Sequence, residues 1–300
     1  MQQHMADNFE MNLINQSSKA SLTHRYARVL SIAGSDSGGG AGIQADLKTF
    51  SSLGCYGMTA ITALTAQNTQ GVSGIHPVPP EFLKAQLKAV IEDIGVDAVK
   101  IGMLHSPDIV RVVANAIRDY GLKRVVLDPV MVATSGDRLI EAETVDVLRT
   151  ELFPWVDVIT PNLDEAALLL GRDLPDATAL DQAAEDLRRQ GARAVLLKGG
   201  HLKSEAVVDV LSEPGHALLH LRSERIASGN VHGTGCTLSS AIAAHLALGL
   251  PLREAVQQAR SYILEAIREG AAVQTGRGHG PLCHGHAPVA MIKLALDAPA

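Results

Sequence analysis

The stretch HGTGCTLSSAIAAHLALG, His232 to Gly249, joins two glycines and a cysteine to a segment that reads as a helix with small and apolar residues on most of its faces. N–H groups at a helix start, approached through glycines and backed by the helix dipole, favour phosphate or the charge that develops in phosphoryl transfer. Cys236 stands at the mouth of that helix and has two readings. A helix N-terminus favours its thiolate and makes it a nucleophile or base; free cysteine is also commonly a small buried core residue. An anion site of this kind belongs at the carboxyl end of a strand in an open α/β sheet, so the rest of the chain has to supply the sheet.

From Arg28 onward, short runs rich in Val and Ile alternate with longer segments of helical period, the pattern of a mostly parallel sheet covered by helices. The strand candidates are RVLSIAG (28–34), YGMTAITAL (56–64), DAVKIGML (97–104), RVVLDPVM (124–131), VDVITPN (156–162) and RAVLLKGG (193–200). FLKAQLKAVIEDI and DIVRVVANAIRDYG carry apolar residues at threes and fours and read as amphipathic cover helices, with Ser106 and Asp164 as helix-start signals. After Gly200, EAVVDVLSEPG and HALLHLRSERI form an edge hairpin that turns at Pro214-Gly215. Two closing helices follow, over 236–249 and 251–272.

The composition agrees with an α/β enzyme. The 300 residues are 46% hydrophobic but only 3% aromatic, so Ala, Val, Leu and Ile must build the interior. A net charge of -6 without a basic run, together with so few aromatic rings, argues against nucleic acid as a partner. Three cysteines, at 55, 236 and 283, form no CxxC pair and suggest a reducing compartment, with the cytoplasm expected. No apolar run approaches the roughly 20 residues of a membrane span. The first 27 residues lack the apolar core of a signal peptide, and Met5 and Met11 are alternative start positions. The expected organisation is a disordered tail over 1–27, one domain over 28–290 and a C-terminal tail over 291–300.

Three further segments carry ligand-type residues. GSDSGGGAGIQADLKTF (34–50) is a glycine turn between a strand and a helix, fitting neither the P-loop nor GxGxxG. Its glycines suit either a close backbone approach to a ligand or tight packing. Asp46 follows in the proposed helix, where a solvated carboxylate is the plain reading. TPNLDEAALLLG (160–171) places Asn162, Asp164 and Glu165 at a helix start, where acidic groups either favour the dipole or hold Mg²⁺ through water. Lys198, in VLLKGGH, is an edge lysine or a cation that neutralises phosphate.

These segments fall in order at strand ends, and GSDSGGGAG, TAQNT, KIGML, LDPVM, SGDRL, TPNLDEA, KGGH and HGTGC together resemble the hydroxymethylpyrimidine/phosphomethylpyrimidine kinases of thiamine biosynthesis. The likeness spans roughly 28–286. It implies a ribokinase-like fold: a three-layer α/β/α domain with a central, mostly parallel sheet. It also implies transfer of the γ-phosphoryl of ATP, with Mg²⁺, to 4-amino-5-hydroxymethyl-2-methylpyrimidine and then to its monophosphate.

By the same resemblance, Gln67 hydrogen-bonds the pyrimidine edge, where an amide supplies both donor and acceptor. Asp46 and Gly34 face the same pocket, and Met103 and Val130 wall it. Cys236 takes the place where related sugar kinases carry the aspartate base. Gly233, Thr234 and Gly235 form the anion hole and Lys198 neutralises phosphate. Asn162 and Glu165 position Mg²⁺-ATP, with Glu165 the metal residue. ATSGDRLI (133–140) resembles a mobile flap, and a homodimer, with the edge hairpin as its contact, is expected. The first loop departs from the family's common GTDPSGGAG by lacking the proline. GHGPLCHGH raises a metal reading through His279, Cys283, His284 and His286, although zinc sites usually want two spaced ligand pairs; the family instead implies packing near the nucleotide. The rival functions are a pyridoxal or pyridoxine kinase, a catalytically inactive pyrimidine-binding regulator, and a thiol hydrolase, which lacks an obvious His and Asn/Asp pair.

Overall fold

A computed structural model describes residues 22–131, 140–141, 143–174, 179–200 and 205–296. The expected flap over 133–140 falls, apart from Ile140, outside the described residues. The central sheet has nine strands. In chain order these are β2 (Arg28–Asp36), β3 (Tyr56–Asn68), β4 (Gly71–Pro77), β5 (Ala98–Ile101), β6 (Val125–Leu127), β7 (Val158–Ile159), β8 (Val195–Leu197), β9 (Ala206–Ser212) and β10 (Leu219–Glu224), following a short β1 (His24–Tyr26). Their spatial order is β10-β9-β8-β7-β6-β5-β2-β3-β4. Pairing is parallel from β8 through β3 and antiparallel at both edges, for β4 on β3 and for the β9–β10 hairpin on β8.

The alternation of side chains along each strand creates the layers. Leu30, Ile32, Val99, Ile101, Leu127, Ile159 and Val195 pack on one face against helices α2 (Pro80–Asp93), α3 (Pro107–Tyr120), α5 (Leu163–Leu170) and α6 (Leu180–Arg189). Their neighbours Val29, Ala98, Val126, Val158, Ala194 and Leu196 pack on the other against α7 (Thr234–Ala247) and α8 (Leu252–Gly270), with Phe50 from α1 (Gly42–Ser52). Ala241, Ala243 and Ala244 are fully buried, so the small residues that mark α7 in the sequence bring its backbone close to sheet and α8. A short α4 (Thr144–Val147), a wider π-helical turn (Leu148–Leu152) and a tighter 3₁₀ turn (Phe153–Trp155) lead to β7.

The architecture is the expected three-layer α/β/α domain, with differences at its margins. The proposed tails meet: His24–Tyr26 pairs antiparallel with β11 (Lys293–Ala295), so ordered chain begins before 28 and continues past 290. Arg25 and Arg28 both bind the buried Asp97 carboxylate, which anchors this ribbon to the start of β5. β4, in GVSGIHP, was not expected from sequence; glycine, proline and an exposed surface hide a strand at a sheet edge. The helix of TPNLDE opens at Asn162 rather than Asp164. Ser106 does occupy the start of α3, but its side chain makes no capping bond. The hairpin turns where expected, with Gly215 at φ 75°. None of the described helices is long and apolar enough to cross a membrane.

Candidate active site

The carboxyl ends of the parallel strands open into a cleft of about 760 Å³. Gly34, Gln67, Met103 and Val130 line one end of it. Asn162, Glu165, Lys198 and Gly233 to Cys236 line its middle, and Asp209, Ile226, Ile263 and Ile267 line the far end. Nearly every residue expected at the site is therefore in one cavity. A Cβ at position 34 would lie 2.7 Å from the Met103 methyl, so glycine there lets the methionine wall the pocket.

The two glycine segments support each other. The Asp36 carboxylate accepts the N–H groups of Gly38 at 2.8 Å, Gly40 at 3.0 Å and Ala41 at 2.8 Å. His232 Nε2 reaches the same carboxylate at 2.9 Å and approaches Gln67 Nε2 at 3.5 Å. Although burial opposes ionisation, the bond to His232 and the backbone amides hold the Asp36 carboxyl below its ordinary range. The first loop thus spends much of its N–H array on its own aspartate and braces HGTGC. Gly233 has φ 85°, and a Cβ on it would lie 1.9 Å from the Gly40 carbonyl oxygen. Asp36 and His232 were missed as site residues; the signal was their presence inside the two glycine motifs.

Lys198, just past β8, donates to Asp128 Oδ1 at 2.8 Å, and Thr160 donates to the same oxygen at 3.0 Å. Asn162 and Glu165 form a reciprocal capping box: Asn162 Oδ1 accepts the Glu165 N–H at 2.9 Å, and Glu165 Oε2 accepts the Asn162 N–H at 2.8 Å. Burial pushes the Glu165 carboxyl up to about 7; Lys198 opposes this and Asp128 adds to it. Both residues therefore hold up α5 as well as facing the cleft. Asp128 was the second carboxylate missed, in LDPVM, where only Val130 had drawn notice.

Two expectations need correction. Asp46 is fully buried and does not face the pocket. Its carboxylate binds Lys100 Nζ at 2.9 Å through both oxygens and accepts from Ser31 at 2.6 Å and Ser240 at 2.7 Å. A charge in that position is kept only because it is paired and hydrogen-bonded. The Cys236 thiolate is not favoured near neutral pH either. Burial pushes the thiol up to about 11, against the pull of Lys100 and with the help of Asp46 and Asp128.

The histidine-rich C-terminal segment packs against the turn between β3 and β4, the start of HGTGC, and helices α7 and α8. Thr69 Oγ1 accepts the N–H of Arg277 and Gly278, and Gly280 O accepts the His232 N–H at 3.1 Å. His284 is buried against Thr237, and His286 packs on the Tyr262 ring. Among the described residues no three His, Cys, Asp or Glu side chains converge as a metal-ligand group.

A family model described as phosphomethylpyrimidine kinase matches residues 36–283. The chain belongs to that family. It is 52% identical over 261 residues to a hydroxymethylpyrimidine/phosphomethylpyrimidine kinase of Rhizobium meliloti, covering 87% of this chain and 97% of that protein. It is 54% identical over 256 residues to a thiamine biosynthesis bifunctional protein of Geobacter sulfurreducens, covering 85% of this chain but about half, 52%, of that longer relative. Among solved structures it resembles Bacillus subtilis pyridoxal kinase bound to ADP, with a TM-score of 0.80 and 41% identity over 87% of this chain and 98% of that one. This is an ATP/ADP-binding kinase family, and in this chain the first glycine loop, Asp128, Glu165 and the GTGC segment line one cleft.

Proposed function

We propose that the cleft transfers the γ-phosphoryl group of Mg²⁺-ATP to the hydroxymethyl oxygen of 4-amino-5-hydroxymethyl-2-methylpyrimidine, and then phosphorylates the monophosphate to the diphosphate. The activity is that of a hydroxymethylpyrimidine/phosphomethylpyrimidine kinase of thiamine biosynthesis. The observation that carries it is the near full-length match to the Rhizobium enzyme.

Within the cleft, Gln67 addresses the pyrimidine edge while Met103 and Val130 hold its faces. The N–H groups of Gly233 and Gly235 at the start of α7 meet the transferring phosphoryl group, and Lys198 balances its charge; the Thr234 N–H, expected to join them, donates instead to the Val231 carbonyl at 3.2 Å. Magnesium usually keeps water and phosphate oxygens beside one or two carboxylates. Glu165, buried at the cleft beside the Asp128–Lys198 pair, suits such a donor set, with Asn162 fixing the backbone around it. The ion would supply charge neutralisation. Cys236, in its minor thiolate form, accepts the proton of the attacking hydroxyl. The free thiols at 55, 236 and 283 support a cytoplasmic location. The exposed β3–β4 end of the sheet, with Leu64 of β3 46% and Ile75 of β4 39% exposed, supports a homodimer there rather than at the hairpin.

Purified protein with Mg²⁺-ATP should convert hydroxymethylpyrimidine first to mono- and then to diphosphate. A much higher kcat/KM for pyridoxal would overturn the pyrimidine assignment in favour of the activity named for the Bacillus structure. Cys236→Ala should lower kcat by about 10²–10⁴-fold with a nearly unchanged KM for the pyrimidine; wild-type kcat would remove Cys236 as the base.

A further inference from the structure

Lys100 lies within β5, is fully buried, and lines the cleft that holds Cys236. Three elements besides its own strand fix what surrounds it. Asp46 of α1 takes its ammonium through both carboxylate oxygens, Ser31 of β2 donates to that carboxylate, and Ser240 of α7 donates to it as well. Ser240 is four residues beyond Cys236, so the anchored carboxylate sits one helical turn below the cysteine on the same face of α7. Gly102 makes room for the cation: a Cβ there would lie 3.0 Å from Lys100 Nζ.

We propose that Lys100 is a positioning residue for Cys236, holding, through its anchor on Asp46, the fixed cation against which the Cys236 thiolate forms. This rests on Cys236 being the base. In the step concerned, the substrate oxygen forms its bond to the γ-phosphorus and the bond from that phosphorus to the β,γ-bridging oxygen of ATP breaks. The hydroxyl proton passes to the Cys236 thiolate sulfur. The resulting thiol returns a proton to solvent before the next turnover, and that return is the event a nearby cation favours.

The charges facing the thiol come from several elements: Lys100 of β5, Asp46 of α1, Asp128 beyond β6 and Lys198 beyond β8. They form two pairs, Lys100–Asp46 and Lys198–Asp128. Lys100 pulls the thiol down more strongly than Asp46 or Asp128 pushes it up, while burial outweighs all three. The ammonium itself stays charged: burial works against it, and Asp46, Cys236 and Asp128 together more than reverse that.

The opposite effects of Lys100 and Asp46 on the thiol are the test. The rate of Cys236 alkylation by iodoacetamide is followed against pH by mass spectrometry of the Cys236 peptide, with the Cys55 and Cys283 peptides as internal comparators. Lys100→Met should raise the midpoint, seen as about tenfold slower alkylation at a fixed pH below it, and Asp46→Asn should lower it and speed alkylation. Should Lys100→Met not fold, the double variant Lys100→Met/Asp46→Leu replaces the buried pair by apolar groups. Its midpoint must lie above that of Asp46→Asn, which keeps the cation beside the thiol without the carboxylate. An unchanged midpoint in Lys100→Met, a double-variant midpoint no higher than that of Asp46→Asn, or shifts of the same sign in Lys100→Met and Asp46→Asn, overturns the proposal. Alkylation is read without turnover, so a failure of Cys236 as base, seen in Cys236→Ala kinetics, is a separate result.

Discussion

Gly233 shows how one residue can carry both fold and chemistry. Its φ of 85° and the 1.9 Å approach that a Cβ would make to the Gly40 carbonyl leave alanine no unstrained place. Because Gly233 also opens the N–H array of α7, Gly233→Ala should lower kcat/KM by about 10²-fold or more. Gly235→Ala is the comparison. Its Cβ would meet Lys198 Nζ and Asp128 Oδ2 at 3.1 Å, both side-chain atoms that can give way, so it should fold nearly as the parent does while losing activity. Thermal melts and steady-state kinetics on the two variants separate strain from lost phosphoryl contacts. That HGTGC mattered was legible because glycine at a helix mouth has few purposes. Asp46 and Lys100 were harder to read: a buried ion pair joins residues 54 positions apart, and neither local pattern names the partner.

At the scale of elements, α5 shows a motif with two duties. TPNLDE contains an Asn-x-x-Glu capping box, so Asn162 and Glu165 are as much helix start as ligand site. Asn162→Ala removes the side-chain oxygen that accepts the Glu165 N–H and should cost about 1 kcal/mol of stability, measured by denaturant unfolding. It should also raise the KM for ATP, since the Asn162 side chain lines the cleft, while the Glu165 carboxylate keeps its bond from the backbone N–H of residue 162. An unaltered KM with the full stability loss would confine Asn162 to capping. The parallel strands were legible for a related reason: a strand buried on both faces reads as an unbroken apolar run, as in RVLSIAG and RAVLLKGG. β4 and the β1–β11 ribbon were not. They are short, exposed and held by pairing across long sequence distances, which leaves little local hydrophobic signal.

Over the whole molecule, two buried groups oppose each other in their pH dependence. Burial, aided by nearby Lys48, pulls the His284 imidazole down to about 4, so between about pH 6.5 and 4 the unfolded chain binds the extra proton and stability falls as pH falls. Glu165 does the reverse. Its carboxyl is raised from 4.5 to about 7, so the folded chain binds the extra proton across that window and stability falls as pH rises. The windows overlap, and the parent protein should show a flat melting temperature where they cancel. Glu165→Gln keeps an oxygen for the Asn162 N–H and leaves Lys198 with its Asp128 partner, while removing the buried charge. It should raise Tm at pH 8 by about 2–6 °C, by little at pH 5, and expose the His284 slope that the parent masks. His284→Gln should uncover the opposite slope, with stability declining from pH 5 to 7. If Glu165 also holds the magnesium side of the cleft, the stabilised Glu165→Gln protein will be the poorer kinase, because the charge that weakens the fold above pH 7 is the one catalysis uses. A Glu165→Gln protein with parental Tm at pH 8 would show that the carboxylate carries no burial penalty, and parental turnover would remove it from the metal site.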